Sequence, residues 1–392
     1  MAGDKMMLSG FRRPDGRHGL RNHMAIIPAS VCAGEVSARI AAAVPGSVAL
    51  VHSNGCCQMG EDYTQTARTL IGMGTNPNVG AVLVVGLGCE GMQPSELVDG
   101  ILKSGKPVSL VIIQECGGTD GAVAEGIVKA RELAASISDM KLEPFPISEL
   151  VLGLECGGSD PTSGIAANPS LGVASDMLVQ AGGTSMLSET TELIGAERIL
   201  AARCSSEETA SKLLKIVDDV EKRALAMGSD LRGTQPTPGN IKGGLSTIEE
   251  KSLGCILKAG KSKLMGVLKY GEAPPAGARG LYMMDSPGQD VDSMIGMLAG
   301  GAHMVVFTTG LGTPTGTPIA PVIKVTANGS TYNRMSSNID IDLSPVMAGD
   351  MTLDEAGALI FNKMVEAARG KLTKSEITGH REFGIYRVGP TF

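Results

Sequence analysis

Tryptophan is absent from the 392 residues, and only five Tyr and six Phe are present. A core for this chain must therefore be built from aliphatic and small side chains and from 21 Met. No stripe of aromatic and basic residues could stack nucleic-acid bases. The net charge of -7 and the pI near 5.4 also count against a general nucleic-acid partner. No apolar run approaches the roughly 18 residues of a membrane span. The start, MAGDKMMLSGFRRPDGRHG, has no hydrophobic leader core. The expectation is a cytoplasmic protein with neither membrane nor nucleic acid as partner. The eight Cys include no Cys-x-x-Cys, which counts against a zinc ribbon or a cluster of the usual spacing. Disulfides are not expected in a large intracellular chain. The 53 Gly have no three-residue period, so they mark turns and close approaches rather than a collagen helix.

Short apolar runs bounded by glycine or polar turns recur: MAIIPA, SVALV, AVLVVGLG, VSLVIIQ, ELVLGL, MVVFTT and PVIKVT. Helical patterns separate many of them, among them EVSARIAAAV, YTQTARTLIGMG, PSELVDGILKSG and TDGAVAEGIVKARELAASI. This alternation predicts a layered α/β fold, with mostly parallel sheets, flanking helices and two Rossmann-like or related regions. Residues 205–229 predict the longest amphipathic helix, capped by Ser205 or Ser206, and 352–368 predict another with an acidic first turn. The loop 231–244 suggests a boundary, giving an α/β domain over 1–230 and a second α/β region over 231–392.

Chemistry-bearing side chains collect where apolar runs end. His52-Ser-Asn-Gly-Cys-Cys-Gln-Met-Gly-Glu-Asp62 offers an imidazole, two adjacent thiols and two carboxylates. His52 could ligate a metal or move a proton, whereas Glu61 and Asp62 could equally open a helix. Glu-Cys-Gly-Gly-Thr-Asp at 115–120 and Glu-Cys-Gly-Gly-Ser-Asp at 155–160 form an internal echo. It places Glu115, Cys116, Glu155 and Cys156 at strand ends, where parallel sheets bind ligands; the plainer reading is a sharp exit with a packed Cys. Glu189 and Glu192 lie among Ser188, Thr190 and Thr191, and Asn240, Lys242 and Lys251 follow the 231–244 loop. Nucleotide motifs fit poorly: GLGCEG is not GxGxxG, and GTPTGTP lacks the Gly-Lys-Ser/Thr ending.

The longer segments taken together carry a resemblance. FRRPDGRHGLRNH (11–23), residues 55–90, LGLECGGSDPTSGIAANPSLGVASD (152–176), GGTSMLSETTELIGAE (182–197), PTPGNIKGGLSTIEEKSLG (236–254), MDSPG and FTTGLGTPTGTPIAPVIKVTAN (307–328) resemble the large domain of the altronate and galactarate dehydratase family. The resemblance covers nearly the whole chain. It implies an iron(II)-dependent dehydration of a sugar acid to a 2-keto-3-deoxy acid, with another divalent cation as a replacement for iron. The family also includes sulfolactate sulfo-lyases, which release sulfite and leave pyruvate. Gly55-Cys56-Cys57-Gln58 departs from the Gly-Cys-Gly of sugar-acid members, which leaves the substrate open.

The resemblance further implies a small-molecule hydroxy acid as partner, a separately encoded small subunit and a homo-oligomer. Candidate metal ligands are His52, Cys56, Glu115, Cys116, Glu155 and Cys156. Candidate catalytic groups are His52, Glu61 and Lys242. Candidate substrate contacts are Arg17, Arg21, Asn240, Lys242, Asp285 and Thr309. Two other classes stay open: an iron–sulfur hydro-lyase using Cys56, Cys89, Cys116 and Cys156, and a non-catalytic binding or scaffold subunit.

Overall fold

A computed structural model describes residues 6–392, and each of the seven apolar runs named above forms a strand in it. A four-stranded parallel sheet comes first, from β3 (His23–Pro28), β4 (Ser47–Ala49), β5 (Val79–Gly86) and β6 (Val108–Ile112), in the order β4-β3-β5-β6. A seven-stranded parallel sheet follows, from β8 (Val151–Cys156), β9 (Thr184–Leu187), β10 (Leu264–Leu268), β11 (Gly280–Met284), β12 (Met304–Thr308), β13 (Val322–Thr326) and β14 (Ile341–Asp342). Its order is β10-β11-β9-β8-β12-β13-β14. The remaining strands, β1 (Met7–Arg12), β2 (His18–Gly19) and β7 (Leu142–Pro146), make a small antiparallel sheet. The fold is thus the expected α/β arrangement of mostly parallel sheets with flanking helices.

The central strands are buried on both faces, because helices cover both. All eight residues of β5 and all five of β12 and β13 are buried. The chain changes sheet between β6 and β8, and β8 and β9 share a sheet with strands beyond residue 230. The polar loop near 231–244 is therefore an excursion between two strands of one sheet, β9 and β10. Its glycines and prolines resemble a linker although the sheet continues across it.

The two parallel sheets share a core. The helix Gly60–Thr75 packs on the helix Asp290–Ala299, and Gly72 lies where any Cβ would strike the Ala299 carbonyl. One apolar cluster joins Ile27, Val82 and Val84 of the first sheet to Val305 and Val322 of the second and to Met294 and Ile295 of the helix Asp290–Ala299. The C-terminal segment crosses back over this junction. Arg387 pairs with buried Asp62 at 3.0 Å, and the Gln65 amide donates to the Tyr386 carbonyl at 2.6 Å. Helix ends follow the local sequence: Ser206 caps Glu207–Ala226, and Thr352 with Glu355 forms a capping box on Leu353–Ala368. Among the described residues no helix is long and apolar enough to cross a membrane.

Two buried imidazoles brace strand ends. His52 Nδ1 accepts from the Asn54 N–H at 3.1 Å, and its Nε2 donates to the Pro28 carbonyl at 2.8 Å. His303 repeats the pattern, accepting from the Val151 N–H at 3.1 Å and donating to the His18 carbonyl at 3.0 Å. A second ring proton would face a backbone N–H in each case. Burial accordingly pushes both down from 6.5 to about 4. Below pH 6.5 the unfolded chain then binds protons that the native chain refuses. Stability should be full above pH 6.5 and fall as pH drops toward 4, by about 3 kcal/mol for each ring. Urea unfolding across this range should show a shallower acid limb in His303→Gln than in the wild type. An identical limb would exclude the brace.

Candidate functional site

The seven-stranded sheet reverses direction at β8: β9 and β11 lie on one side and β12 and β13 on the other. Loops leaving the carboxyl ends of β8 and β12 therefore diverge and open a crevice. Several polar segments singled out in the sequence meet around it. Gly157 follows β8 here because a Cβ at this position would lie 2.5 Å from Asp290 Oδ2.

Three carboxylates converge beside that glycine. Glu155 is fully buried; its Oε2 accepts from Ser293 Oγ at 2.7 Å and Ser188 Oγ at 3.2 Å, while its Oε1 has no hydrogen-bond partner. Glu189, also fully buried, adopts a left-handed φ of 67°, an uncommon conformation for a residue with a Cβ. Its Oε2 accepts from the Cys156 N–H at 3.0 Å and from Lys258 Nζ at 2.5 Å, and its Oε1 likewise has no partner. Asp290, in the first turn of its helix, is the most open of the three. Each offers an oxygen within 4.8 Å of the others.

A second group lies on the other face of the β8 end. Cys156, Glu192 and Cys255 also bring their ligating atoms within 4.8 Å of one another. The Lys258 ammonium already occupies this group, 2.9 Å from Cys156 Sγ and 3.2 Å from Glu192 Oε2. Lys251 holds the other Glu192 oxygen at 2.9 Å. Glu189 links the two groups, since one of its oxygens faces Lys258 and the other is unpartnered.

Electrostatics separates the two groups. Burial, reinforced by Glu189, drives the Glu155 carboxyl well above its ordinary value. Burial and neighbouring Glu192 lift Glu189 to about 7 and Asp290 to about 6. Burial pushes Glu192 upward too, but Lys251 and Lys258 override it and hold this carboxyl well below its ordinary value. Four carboxylates against two ammonium groups leave a formal charge of two negatives when all are ionised. One divalent cation would balance that charge and would supply what the two orphaned oxygens lack. The all-oxygen donor set suits Mg²⁺, Mn²⁺ or Fe²⁺. The Cys156–Glu192–Cys255 group does not fit a further cation, because Lys258 already supplies one.

The sequence candidates divide between the two sheets. Glu155, Cys156, Asn240, Asp285 and Thr309 lie around the carboxyl ends of the seven-stranded sheet. The Asn240 amide donates to the Ser159 carbonyl at 2.8 Å, Asp285 accepts from Thr190 Oγ1 at 2.7 Å, and buried Thr309 accepts from the Gly312 N–H at 2.9 Å. Lys242 is exposed at the end of the short helix Pro238–Lys242. His52, Cys56, Glu61, Glu115 and Cys116 follow strands of the four-stranded sheet and do not join either three-residue group. Both His52 nitrogens are engaged by the backbone, and exposed Glu61 lies in a helical first turn. Glu115 is exposed, and Cys116 Sγ donates to Glu125 at 3.2 Å.

The two echoing turns therefore end strands of different sheets, β6 and β8, which identical residues in the sequence do not reveal. Cys56, Cys89 and Cys116 likewise do not gather with Cys156 among the described residues. Arg17 and Arg21 precede β3, at its amino end. Arg21 is spent on Glu376 at 2.6 Å and on the carbonyls of Leu20, Ala367 and Lys371, and Arg17 pairs with Asp15 at 2.7 Å. Sequence reasoning did not single out Asp290, Cys255 or Lys258. The run of Glu189 and Glu192 after a short apolar strand was a usable signal, but Lys258 in LGCILKAG gives none.

Residues 147–391 match the family model described as D-galactarate/altronate dehydratase, C-terminal, and residues 10–138 match D-galactarate dehydratase/altronate hydrolase, second domain. The chain is 40% identical over 385 residues to the (2R)-sulfolactate sulfo-lyase subunit beta of Chromohalobacter salexigens, covering 97% of each. It is 36% identical over 391 residues to the altronate dehydratase of Escherichia coli, covering 97% of this chain and 78% of that one. It is 37% identical over 334 residues to the galactarate dehydratase (L-threo-forming) of the same species, covering 82% and 63%.

Lys258 gives the site a stability test. Lys258→Met leaves Glu189 and Glu192 buried with less compensation, and should cost about 3–5 kcal/mol in guanidinium unfolding. Adding Glu192→Gln should recover part of that loss. A Lys258→Met protein as stable as the wild type would show that the ammonium does not hold the cluster.

Proposed function

Because the chain belongs to the D-galactarate/altronate dehydratase family and is a lyase, we propose that it is a metal-dependent hydro-lyase that converts a sugar acid to its 2-keto-3-deoxy acid. The observation that carries metal dependence is the pair of buried, unpartnered oxygens on Glu155 and Glu189, beside Asp290. These three residues would hold the cation. When bound, it supplies Lewis-acid polarisation to the carboxylate and 2-hydroxyl of the substrate.

In the elimination, the C2–H bond breaks and its proton passes to a base, while the C3 hydroxyl leaves as water. The resulting enol becomes the 2-keto acid. Lys251 and Lys258 keep Glu192 and its neighbours in a fixed charge pattern, so the crevice need not reorganise as charge develops. Lys242, exposed and with no ion pair among the described residues, is the proposed contact for the substrate carboxylate. Asn240 shapes this rim from the same short helix by holding the Ser159 carbonyl.

The 40% identity to a sulfo-lyase subunit over nearly both full chains supports a second reading, release of sulfite from sulfolactate. There the C3–S bond breaks and sulfite leaves with the electron pair, so the leaving group needs no strong proton donor. That relative is a subunit beta, which supports a separately encoded small subunit for this chain.

The test is turnover of altronate, galactarate and sulfolactate by anaerobically purified protein, with and without Fe²⁺ or Mn²⁺. Keto acid and sulfite are measured separately. Keto acid without sulfite identifies the hydro-lyase, and the two in equal amounts identify the sulfo-lyase. Glu155→Gln should weaken Mn²⁺ binding and turnover on the order of 100-fold. Full activity in chelator-treated protein would sink the metal-dependent reading.

A further inference from the structure

Cys156 ends β8 and Cys255 ends the helix Ile248–Cys255, yet their sulfurs lie 3.5 Å apart, both buried and both free. A cavity of about 260 Å³ reaches this pair. Cys255, Lys251, Asn168, Ser159 and Asp160 line it, whereas Cys156 does not. A small oxidant therefore meets Cys255 first, with Cys156 immediately behind it. The Cys156 thiol donates to Glu192 at 2.9 Å, so its proton has an acceptor as the sulfur attacks, and the Lys258 ammonium 2.9 Å from that sulfur offsets the charge that develops on it.

We propose that Cys156 and Cys255 form a reversible dithiol–disulfide pair, closed by a peroxide that enters through this cavity, and that closure weakens the neighbouring cation site. In the first step the Cys255 sulfur attacks a peroxide oxygen. An S–O bond forms, the O–O bond breaks, and the departing hydroxide leaves as water with the thiol proton. In the second step the Cys156 sulfur attacks the sulfenic sulfur of Cys255. The S–S bond forms, the S–O bond breaks, and hydroxide leaves as a second water with the remaining thiol proton. The two thiols lose two electrons and the peroxide gains them.

Closure draws the sulfurs from 3.5 Å to about 2.05 Å. It removes the Cys156 S–H bond to Glu192, now 2.9 Å long. It also pulls on the strand end whose Cys156 N–H holds Glu189, and whose preceding residue is Glu155. Two of the three proposed cation ligands thus move with the sulfur. The effect on the cation rests on the metal reading above, whereas the disulfide itself does not.

The experiment treats the full chain with hydrogen peroxide, digests it without reductant and maps linked peptides by mass. Mn²⁺ binding is titrated before oxidation, after it, and after dithiothreitol. A peptide pair joining Cys156 to Cys255, lighter by two hydrogens and separated by dithiothreitol, is expected. Mn²⁺ affinity should drop at least tenfold in the linked protein and return on reduction, while peroxide should leave the affinity of Cys255→Ala unchanged. The proposal is overturned if peroxide links only the exposed side of the chain, at vicinal Cys56 and Cys57, or leaves Cys255 as an unlinked sulfinic acid. It is also overturned if linked and reduced protein bind Mn²⁺ equally. A linked pair in a chain that binds no Mn²⁺ in either state would confirm the disulfide and remove the metal reading instead.

Discussion

One buried ammonium group sets the arrangement of the site. Lys258 has no exposed charge to satisfy, so its proton is held by Cys156, Glu189 and Glu192. Desolvation works against the charge, but these partners together keep it in place. The loop after β9, the end of β8 and the turn following the helix 248–255 must therefore meet at one point. At that point Glu189 adopts its left-handed backbone conformation, with one oxygen on Lys258 and the other unpartnered.

The second carboxylate group follows from the first. Lys258 satisfies only one side of Glu189, and Lys251 satisfies only Glu192. Glu155 receives two serine hydroxyls on one oxygen and nothing on the other. The two unpartnered oxygens therefore fall together, where Gly157 leaves space beside Asp290. Such a cluster is poorly stabilised by protein groups alone, which is the property a cation site requires. It lies where strand connections diverge, with the partly buried Asp290 as its most open member.

The four-stranded unit supports this crevice without supplying any of the three carboxylates. Its helix 60–75 packs on the helix that begins at Asp290, and the C-terminal segment ties Asp62 and Gln65 to the second unit. The buried apolar residues between the sheets belong to one cluster, so the position of Asp290 depends on packing from both units. His52 and His303 add the same backbone brace on each side of that junction. An imidazole with both nitrogens bonded to main chain is a structural element, however chemical it looks beside two cysteines.

The sequence by itself determined the layered α/β fold. Seven apolar runs became strands because short, doubly buried strands need continuous apolar residues, and periodic helices between them need one apolar face. Caps such as Ser206 and Thr352 were equally legible, since capping is local. It also showed that acids and cysteines sit at strand ends, as Glu155 and Cys156 do at the end of β8. Which strand ends share a crevice was decided only by tertiary structure. Glu115 and Glu155 have the same local sequence, but their strands pair into different sheets. Lys258 and Cys255 come from an apolar helical stretch that carries no chemical signature, and reach Cys156 across about a hundred residues of chain. Strand order and helix packing set those distances, and neither is encoded by residue spacing along the chain.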